Sequence, residues 1–248
     1  MTKIFSAILK TRPSHFMEST INKAQTLPVM ESFYTIQGEG FHQGKAAYFI
    51  RLGGCDVGCV WCDVKESWDA SKHPQKTIHQ IVDEVLKTVA GYQLPVAGIS
   101  SSDIRLRASD NEQQTTNIAI VTGGEPLMHD CTELTKQLHR TGFKTHIETS
   151  GAYPISGQWD WICFSPKKFK EPLKSIAQLA NELKVIIFNK SDFDWAEKYA
   201  ALVSSSCKLY LQPEWDKSSI VTPLIIEYIK KNPRWEFSLQ LHKYINVP

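Results

Sequence analysis

The stretch AAYFIRLGGCDVGCVWCD, residues 46–63, joins an apolar run to a loop that contains three cysteines. Ala46–Leu52 predicts a buried β-strand that leads directly into the loop. Cys55, Cys59 and Cys62 follow with the spacing C-x3-C-x2-C, which lets their thiolates converge on one metal centre. A closed zinc site and a fully protein-ligated iron–sulfur cluster each take four protein ligands. Three cysteines therefore indicate a four-iron cluster with one iron left open to a small molecule.

Zinc is the alternative that the spacing leaves open. A zinc site usually combines C-x2-C with a second cysteine pair or a histidine pair, and neither accompanies this loop. His42 and His73 are the nearest histidines, and either could supply a fourth ligand. The other cysteines, Cys131, Cys163 and Cys207, stand apart and are predicted to be small buried apolar side chains. The spacing favours iron–sulfur.

Length and composition describe an ordinary globular protein. The chain has 248 residues, of which 42% are hydrophobic and 22% charged, with a formal net charge of +2. This length accommodates one domain of α/β-barrel size. We expect no membrane span, because the apolar runs are short, and no nucleic-acid partner, because no basic stripe is present. The cysteines must stay reduced and no export signal precedes them, so we expect a cytoplasmic protein.

Strand and helix patterns alternate along the chain, which predicts a largely parallel sheet. The polar segment 91–117 is predicted to be a loop insertion, residues 1–28 an N-terminal extension and residues 29–248 one domain. Helices are predicted at 77–90, 130–140, 195–203 and 220–230, the last interrupted by Pro223. Further strands are predicted at 118–122, 144–149, 161–165, 183–188, 208–212 and 235–241.

Four polar motifs each follow one of these apolar strands. They are TGGEP at 122–126, ETSG at 148–151, SPK at 165–167 and QPEWD at 212–216. In parallel α/β folds the carboxyl ends of the strands form the active-site face. Because the cysteine loop is placed in the same way, these motifs predict one site shared by all five segments.

The cysteine spacing followed by Gly-Gly-Glu at 123–125 resembles the radical S-adenosylmethionine superfamily. Within it, the chain is similar to the 7-carboxy-7-deazaguanine synthases, and the shared motifs run in that family's order from about residue 30 to the last residue. They are FYTIQGEG (33–40), FIRL (49–52), IET (147–149), SPK (165–167), ELKV (182–185) and HKYINVP (242–248). The resemblance implies an abbreviated, partial β/α barrel in a single domain.

The resemblance also implies an activity and its cofactors. Cys55, Cys59 and Cys62 would hold a [4Fe–4S] cluster whose open iron binds S-adenosylmethionine. An external one-electron donor of the flavodoxin type would supply the electron that generates a 5′-deoxyadenosyl radical. The implied reaction is a lyase reaction that converts 6-carboxy-5,6,7,8-tetrahydropterin to 7-carboxy-7-deazaguanine with loss of ammonia, in the biosynthesis of the modified tRNA base queuosine. The family's usual homodimer is implied as well.

Site residues are carried over from the matching motifs. The cofactor set is Trp61, Cys62, Asp63, Gly123, Gly124, Glu125, Glu148, Ser165, Pro166, Lys167, Gln212, Pro213, Glu214 and Trp215. The substrate set is Ile36, Gln37, Gly38, Glu39, Arg51, Thr122 and Pro248, whose terminal carboxylate would reach the substrate.

Physical chemistry supports several of these assignments. Glycines allow close backbone approach, and the Glu125 carboxylate can pair with the methionyl ammonium. Arg51 ends an apolar strand and suits bidentate binding of a carboxylate. Simpler interpretations remain for Trp61, as a packing aromatic, and for Glu148, as a solvated acid.

The chain departs from the family at one position. The residue after Cys62-Asp63 is usually a threonine whose hydroxyl ligates Mg²⁺, and here it is Val64. Valine has no oxygen to offer, so magnesium would bind through water and substrate or through a substitute within residues 65–67.

Two other functions are compatible with the cysteine loop. A radical activating enzyme that acts on a partner protein would share the cysteines but should lack Arg51 and the HKYINVP tail. A non-enzymatic zinc module would need neither Arg51 nor the HKYINVP tail.

Overall fold

The computed structural model describes residues 24–92 and 117–248, which form one mixed sheet with helices packed on it. The strand order is β3-β1-β2-β4-β5-β6-β7-β8-β9. From β2 to β9 all neighbours are parallel, while β1 is antiparallel to both β2 and β3. The strands are β1 Thr26–Ile36, β2 Ala46–Leu52, β3 Gln75–Thr77, β4 Ile118–Gly123, β5 Lys144–Thr149, β6 Trp161–Phe164, β7 Glu182–Ile187, β8 Lys208–Pro213 and β9 Trp235–Phe237.

The sheet remains open, because its edge strands β3 and β9 do not pair with each other. This open sheet is consistent with the partial barrel that the resemblance implies. The α-helices of the described segments are α1 Ile78–Tyr92, α2 Thr132–Arg140, α3 Lys174–Leu179, α4 Ser191–Ala200, α5 Ser218–Lys231 and α6 Leu241–Ile245. Short 3₁₀ helices occur at Lys65–Trp68, Ala70–Lys72, Pro126–Met128 and Trp215–Lys217. Within the described ranges, no helix is long and apolar enough to cross a membrane.

The two faces of the sheet differ in chemistry. In β7, Leu183 and Val185 lie in the apolar core shared with helices α3 to α5, while Lys184 points to the concave face. On the concave face, β2 and β4 carry the apolar side chains Ala47, Phe49, Ile118 and Ile120, and Arg51 and Thr122 follow at the ends of the same strands. The concave face from β5 to β8 carries the polar side chains that line the site, Glu148, Ser165, Lys184 and Gln212. The two-residue period of a strand makes this separation possible.

Most predicted elements are confirmed, and β2 has the predicted bounds. The strand predicted at 235–241 is wrong beyond residue 237, because the chain turns after Phe237 and begins helix α6 at Leu241. The interruption at Pro223 is also wrong. Helix α5 runs through it, because a proline near the start of a helix removes one backbone bond that the following turns outweigh. Helix α4 begins at Ser191 rather than at the predicted residue 195.

Two predicted segments fall largely outside the described residues. These are the N-terminal extension up to residue 23 and positions 93–116 of the predicted insertion. Strand β1, which no sequence pattern predicted, begins at Thr26, where it pairs with β3.

We predict that Gly123→Ala destabilises the fold far more than Gly142→Ala. Both glycines have positive φ, +109° and +85°, so each substitution carries a backbone penalty of about 1–2 kcal/mol. A Cβ at Gly123 would also lie 2.5 Å from the Leu52 carbonyl oxygen, whereas one at Gly142 meets nothing within 4 Å. Urea unfolding of both variants measures the difference. Equal losses would show that the backbone at Gly123 can move away from Leu52.

Candidate active site

A cavity of about 250 Å³ lies at the carboxyl ends of the parallel strands. Its lining contains every predicted cofactor and substrate residue except Pro166. Pro166 is buried beside the cavity, and its carbonyl accepts a hydrogen bond from the Trp195 indole at 3.3 Å. The five loops that the sequence predicted to meet therefore do meet. The roles of the individual residues stay predictions.

The three thiols of the cysteine loop line this cavity together. Cys59 is buried, Cys55 and Cys62 are half-buried, and all three are free. Desolvation raises the pKa of Cys59 to about 11, so a bound cluster would have to displace the proton to hold the thiolate. Three thiols that line one cavity are the donor set that suits a cluster with an open iron.

The alternative of a single zinc ion finds no support in this geometry. In residues 24–92 and 117–248, no three His, Cys, Asp or Glu side chains are grouped to hold one metal ion. His42 lies instead against Trp161, with ring centroids 4.6 Å apart, and the His73 ring contacts the Glu66 carbonyl at 2.9 Å. The separate cysteines are buried as predicted, with Cys131, Cys163 and Cys207 each at most 8% exposed.

The Gly-Gly-Glu loop is packed directly on the cysteine loop. The Gly124 amide donates to the Leu52 carbonyl at 2.8 Å, and the Glu125 amide donates to the Gly54 carbonyl at 2.8 Å. A Cβ at Gly124 would lie 2.2 Å from the Gly54 oxygen, so only glycine permits this approach. The two predicted cofactor elements therefore form one rigid unit.

The Glu125 carboxylate is committed to the protein. Glu125 is 1% exposed and accepts hydrogen bonds from the Leu127 amide at 3.1 Å, the Thr149 hydroxyl at 2.6 Å and the Ser150 amide at 2.8 Å. The Ser150 hydroxyl donates to it as well. A carboxylate offers about four acceptor positions, and these bonds occupy them. Glu125 thus joins the ends of β4 and β5, and its pairing with an ammonium stays a prediction.

A buried cation organises the opposite wall. Lys184 is 4% exposed and pairs with Glu39 and with Glu148, the latter at 3.3 Å. We call these three residues the Lys184 cluster. Gln37 donates to Glu148 at 2.9 Å. The Gln212 and Gln240 amides each donate to Glu39 at 3.0 Å.

The Lys184 cluster keeps its charges in the folded protein. Burial alone would raise the pKa of Glu39, but the Lys184 ammonium and its hydrogen bonds lower it to about 2. Burial alone would lower the pKa of Lys184, but the surrounding thiol and carboxylates raise it well above its usual value. Lys184 belongs to the ELKV motif, but no role is predicted for it from the sequence. The signal that could have identified it is a lone lysine inside an apolar strand.

Lys167 is a second cation of the cavity, and its situation differs. Its ammonium donates to the Ser165 hydroxyl at 2.6 Å and lies 5.2 Å from the Trp61 ring centroid. Among the described residues no carboxylate is within ion-pair distance of it, and burial lowers the pKa of Lys167. Lys167 therefore suits an anionic group of a ligand.

Arg51 lines the cavity, and Glu31 and Phe33 hold its side chain in place. Its guanidinium bonds the Glu31 carboxylate at 2.6 Å and lies 5.0 Å from the Phe33 ring centroid. A guanidinium has five N–H donors, so this single bond leaves others for the ligand carboxylate that the sequence predicts.

The C-terminal tail is docked, as its apolar composition predicts. The Leu241 amide donates to the Gly38 carbonyl at 2.9 Å. The Lys243 ammonium pairs with Asp63 at 3.2 Å, and the Tyr244 ring packs edge-on against Trp215 at 5.5 Å. These contacts bring Pro248 to the cavity wall.

The position where the family has a threonine offers no ligand to a magnesium ion, because Val64 lines the cavity without a side-chain oxygen. The hydroxyl of the cavity lining nearest in sequence is that of Ser67, which donates its hydrogen to the Val64 carbonyl at 2.7 Å. This bond leaves the lone pairs of the Ser67 oxygen for a ligand, so a substitute ligand within residues 65–67 stays a prediction.

A partial parallel barrel with a three-cysteine loop after its first parallel strand, and a Gly-Gly-Glu loop packed on it, defines a radical S-adenosylmethionine enzyme. No family model matches the chain, but individual proteins do. The chain belongs to the 7-carboxy-7-deazaguanine synthase family.

The similarity extends over nearly the whole chain. The 7-carboxy-7-deazaguanine synthase of Flavobacterium psychrophilum is 48% identical, over 94% of this chain and 98% of that one. That of Synechocystis is 43% identical, over 89% and 93%. That of Escherichia coli K12 is 32% identical, over 89% and 98%. The crystal structure of QueE from Escherichia coli aligns with a TM-score of 0.68 and 28% identity, over 88% of this chain and 95% of that one.

We predict that replacing Cys55, Cys59 or Cys62 by alanine abolishes iron and sulfide incorporation during anaerobic reconstitution. Losing one of three ligands leaves too few thiolates to retain a cluster. Iron analysis and the visible absorption of the reconstituted protein measure the effect. Cys131→Ala is the matched control, because its buried thiol lies outside the cavity lining. Full iron content in any of the first three variants would refute the ligand assignment.

We predict that Lys184→Gln lowers the free energy of unfolding by about 3–5 kcal/mol at pH 7, because it leaves buried carboxylates without their cation. In the native protein the Glu39 contribution is complete above about pH 4.5 and is lost as the pH falls toward 2. In the variant the Lys184 ammonium no longer opposes burial, so the pKa of Glu39 rises above its native value. The difference in free energy of unfolding between the native protein and the variant should therefore become smaller as the pH falls from 7 to 4.5. Urea unfolding at several pH values measures this difference. A gap that does not vary with pH would mean that packing, not charge, carries the effect.

Proposed function

We propose that this protein converts 6-carboxy-5,6,7,8-tetrahydropterin to 7-carboxy-7-deazaguanine with loss of ammonia, as a carbon–nitrogen lyase in queuosine biosynthesis. Family membership over nearly the whole chain supports this assignment. The observation that carries it is the single cavity in which the cysteine loop, the Gly-Gly-Glu loop and the chain terminus meet.

When bound at the three thiols, a [4Fe–4S] cluster with S-adenosylmethionine supplies the radical that removes a hydrogen atom from the substrate. The chain's own residues bind, orient and shield the reactants. Gly123 and Gly124 let the cofactor approach the backbone, and the Lys167 ammonium meets an anionic group. Trp61, 5.2 Å from that ammonium, covers it on one side.

The substrate groups match the opposite side of the cavity. Arg51 offers N–H donors to the pterin carboxylate while Glu31 holds its orientation. The terminal carboxylate at Pro248 accepts hydrogen bonds from the N–H edge of the pterin ring. The Lys184 cluster and its glutamines form a polar wall that keeps its shape without a ligand, which favours one orientation of the ring.

Several implied features remain predictions. They are the homodimer, the flavodoxin-type electron donor and the cytoplasmic location. Magnesium is assigned no protein ligand, because Val64 has replaced the expected hydroxyl. Family membership and the cavity-bound tail favour the small-molecule lyase over an activating enzyme or a zinc module.

The function is tested with anaerobically reconstituted protein, S-adenosylmethionine, dithionite and the tetrahydropterin. We expect 7-carboxy-7-deazaguanine and ammonia in equal amounts, identified by mass spectrometry and an ammonia assay. Formation of 5′-deoxyadenosine by slow cleavage alone, without the deazaguanine, would overturn the proposal.

We predict that deleting Pro248 raises the KM for the pterin roughly tenfold or more, the range expected for loss of a charge-assisted hydrogen bond. The deletion moves the terminal carboxylate by one residue. Pro248→Ala is the matched control, because it keeps the carboxylate in place, and its KM should change little. Melting temperatures of both variants should match the unmodified protein. An unchanged KM in the deletion variant would show that the terminus does not bind the substrate.

A further inference from the structure

The middle of the cysteine loop has little backbone support. At the start of the loop, the amides of residues 53–55 donate to backbone carbonyls at 2.8, 2.6 and 3.1 Å. Within the described part of the chain, the amides of residues 56–61 donate to no backbone carbonyl. Gly58 has a positive φ of +75°, and a Cβ there would meet nothing within 4 Å. Side-chain contacts must therefore hold the segment that joins the three predicted ligands.

Asp56, which follows the first predicted ligand, is held by two side chains from other loops. Its Oδ2 accepts a hydrogen bond from the Tyr153 hydroxyl at 2.5 Å and another from the Lys170 ammonium at 2.6 Å. The Lys170 ammonium also donates to the Tyr153 oxygen at 2.7 Å and lies 4.2 Å from the Tyr153 ring centroid. We call these three residues the Asp56 network, and each of them contacts the other two.

The Asp56 network joins three loops at the carboxyl ends of the strands. Tyr153 lies between β5 and β6, and Lys170 lies between β6 and α3. Asp56 is 97 residues from Tyr153 and 114 residues from Lys170, so nothing local in the chain would keep these loops together. The Tyr153 ring packs against the apolar core, which fixes the position of its hydroxyl.

The tyrosine makes this network stronger than an ordinary surface ion pair. The side chains of Lys170 and Asp56 are 32% and 46% exposed, and an exposed pair alone contributes little to stability. Here a third donor is already held by packing, so less side-chain entropy is lost when the bonds form. The hydrogen bonds from Lys170 and Tyr153 lower the pKa of Asp56, which keeps its carboxylate charged.

The loop that carries Lys170 contacts the cysteine loop at a second place. The Trp61 ring, directly before the third predicted ligand, lies 5.2 Å from the Lys167 ammonium and packs edge-on against Phe169 at 6.1 Å. The loop after β6 therefore contacts the cysteine loop beside its first ligand and beside its last.

We propose that Tyr153 and Lys170 are positioning residues for the iron–sulfur cluster, which act by holding Asp56 and so keep the neighbouring Cys55 and Cys59 thiols in place. The proposal rests on the assignment of the three cysteines as ligands, and it goes beyond the proposed function because it holds for any substrate. A thiolate that leaves its iron rebinds readily when the loop stays in position. The network therefore slows the loss of iron from the cluster.

The test compares two tyrosines that each donate to a carboxylate. Tyr153→Phe removes one hydroxyl and keeps the ring in the core. Tyr228→Phe is the matched control, because its hydroxyl donates to Glu197 at 2.7 Å and lies outside the cavity lining. Each protein is reconstituted anaerobically with iron and sulfide and freed of excess iron. A ferrous chelator is then added without S-adenosylmethionine or substrate, and the coloured chelate measures the rate of iron release.

We expect Tyr153→Phe to release iron about three- to tenfold faster than the unmodified protein, the range for loss of one net hydrogen bond. Tyr228→Phe should release it at the unmodified rate. Lys170→Met should release it faster as well, whereas Lys170→Arg keeps the charge and the donors and should stay close to the unmodified rate. In Tyr153→Phe and Lys170→Met, the electron paramagnetic resonance lines of the dithionite-reduced cluster should broaden, because its ligands are held less uniformly. Melting temperatures of the metal-free proteins should match.

The outcomes separate this proposal from a general loss of stability and from the proposed function. Equal release rates in Tyr153→Phe and Tyr228→Phe overturn it. Equal rates in Lys170→Met and Lys170→Arg overturn it too, and this comparison stands even where Tyr153→Phe lowers the melting temperature. Failure of the unmodified enzyme to form 7-carboxy-7-deazaguanine overturns the proposed function alone, because iron release is measured without substrate.

Discussion

The ion pairs of Lys184 with Glu39 and Glu148 are the constraint on which the site depends. They connect the middle of β7, the end of β5 and the turn after β1, and Gln240 extends the same network to the tail. Burying these charges is tolerable only with complete pairing and hydrogen bonding. Any displacement of one segment would leave a charge uncompensated, so the cluster fixes how the chain's first strands, its central sheet and its end meet. A polar interior is thus rigid before any ligand arrives.

The cofactor side is held by a different interaction. There, the backbones at Gly54 and Gly124 are in direct contact, and Glu125 joins the end of β4 to the end of β5 through three hydrogen bonds from Thr149 and Ser150. Close backbone packing leaves the cysteine thiols on the cavity side. The C-terminal tail reaches the same cavity through its contacts with Gly38 and Asp63.

The sequence was sufficient to predict the strands that are buried on both sides, because their apolar runs are continuous. It also indicated the site loops, since polar motifs followed each run. It did not predict β1, because the buried and partly exposed positions of this strand follow no two-residue period. The pairing of Lys184 with Glu39 joins residues 145 apart and leaves no local pattern. Helix α6 is too short to be stable alone, and its contacts with Gly38 and Asp63 decide its structure.

The charges of the cavity are divided in a way that orients its ligands. On the wall formed by the Lys184 cluster, one cation is paired with two acids, so this wall offers hydrogen bonds and has an excess negative charge that does not attract a ligand carboxylate. Lys167 has no carboxylate partner among the described residues, and Arg51 uses one of its donors for Glu31. Lys167 lies on the loop after β6 and Arg51 lies in the last part of strand β2, so two anionic groups can be bound apart from each other. Both S-adenosylmethionine and the carboxypterin carry a carboxylate, and each can therefore be oriented by its own cation, with the polar wall of the Lys184 cluster left for the pterin ring.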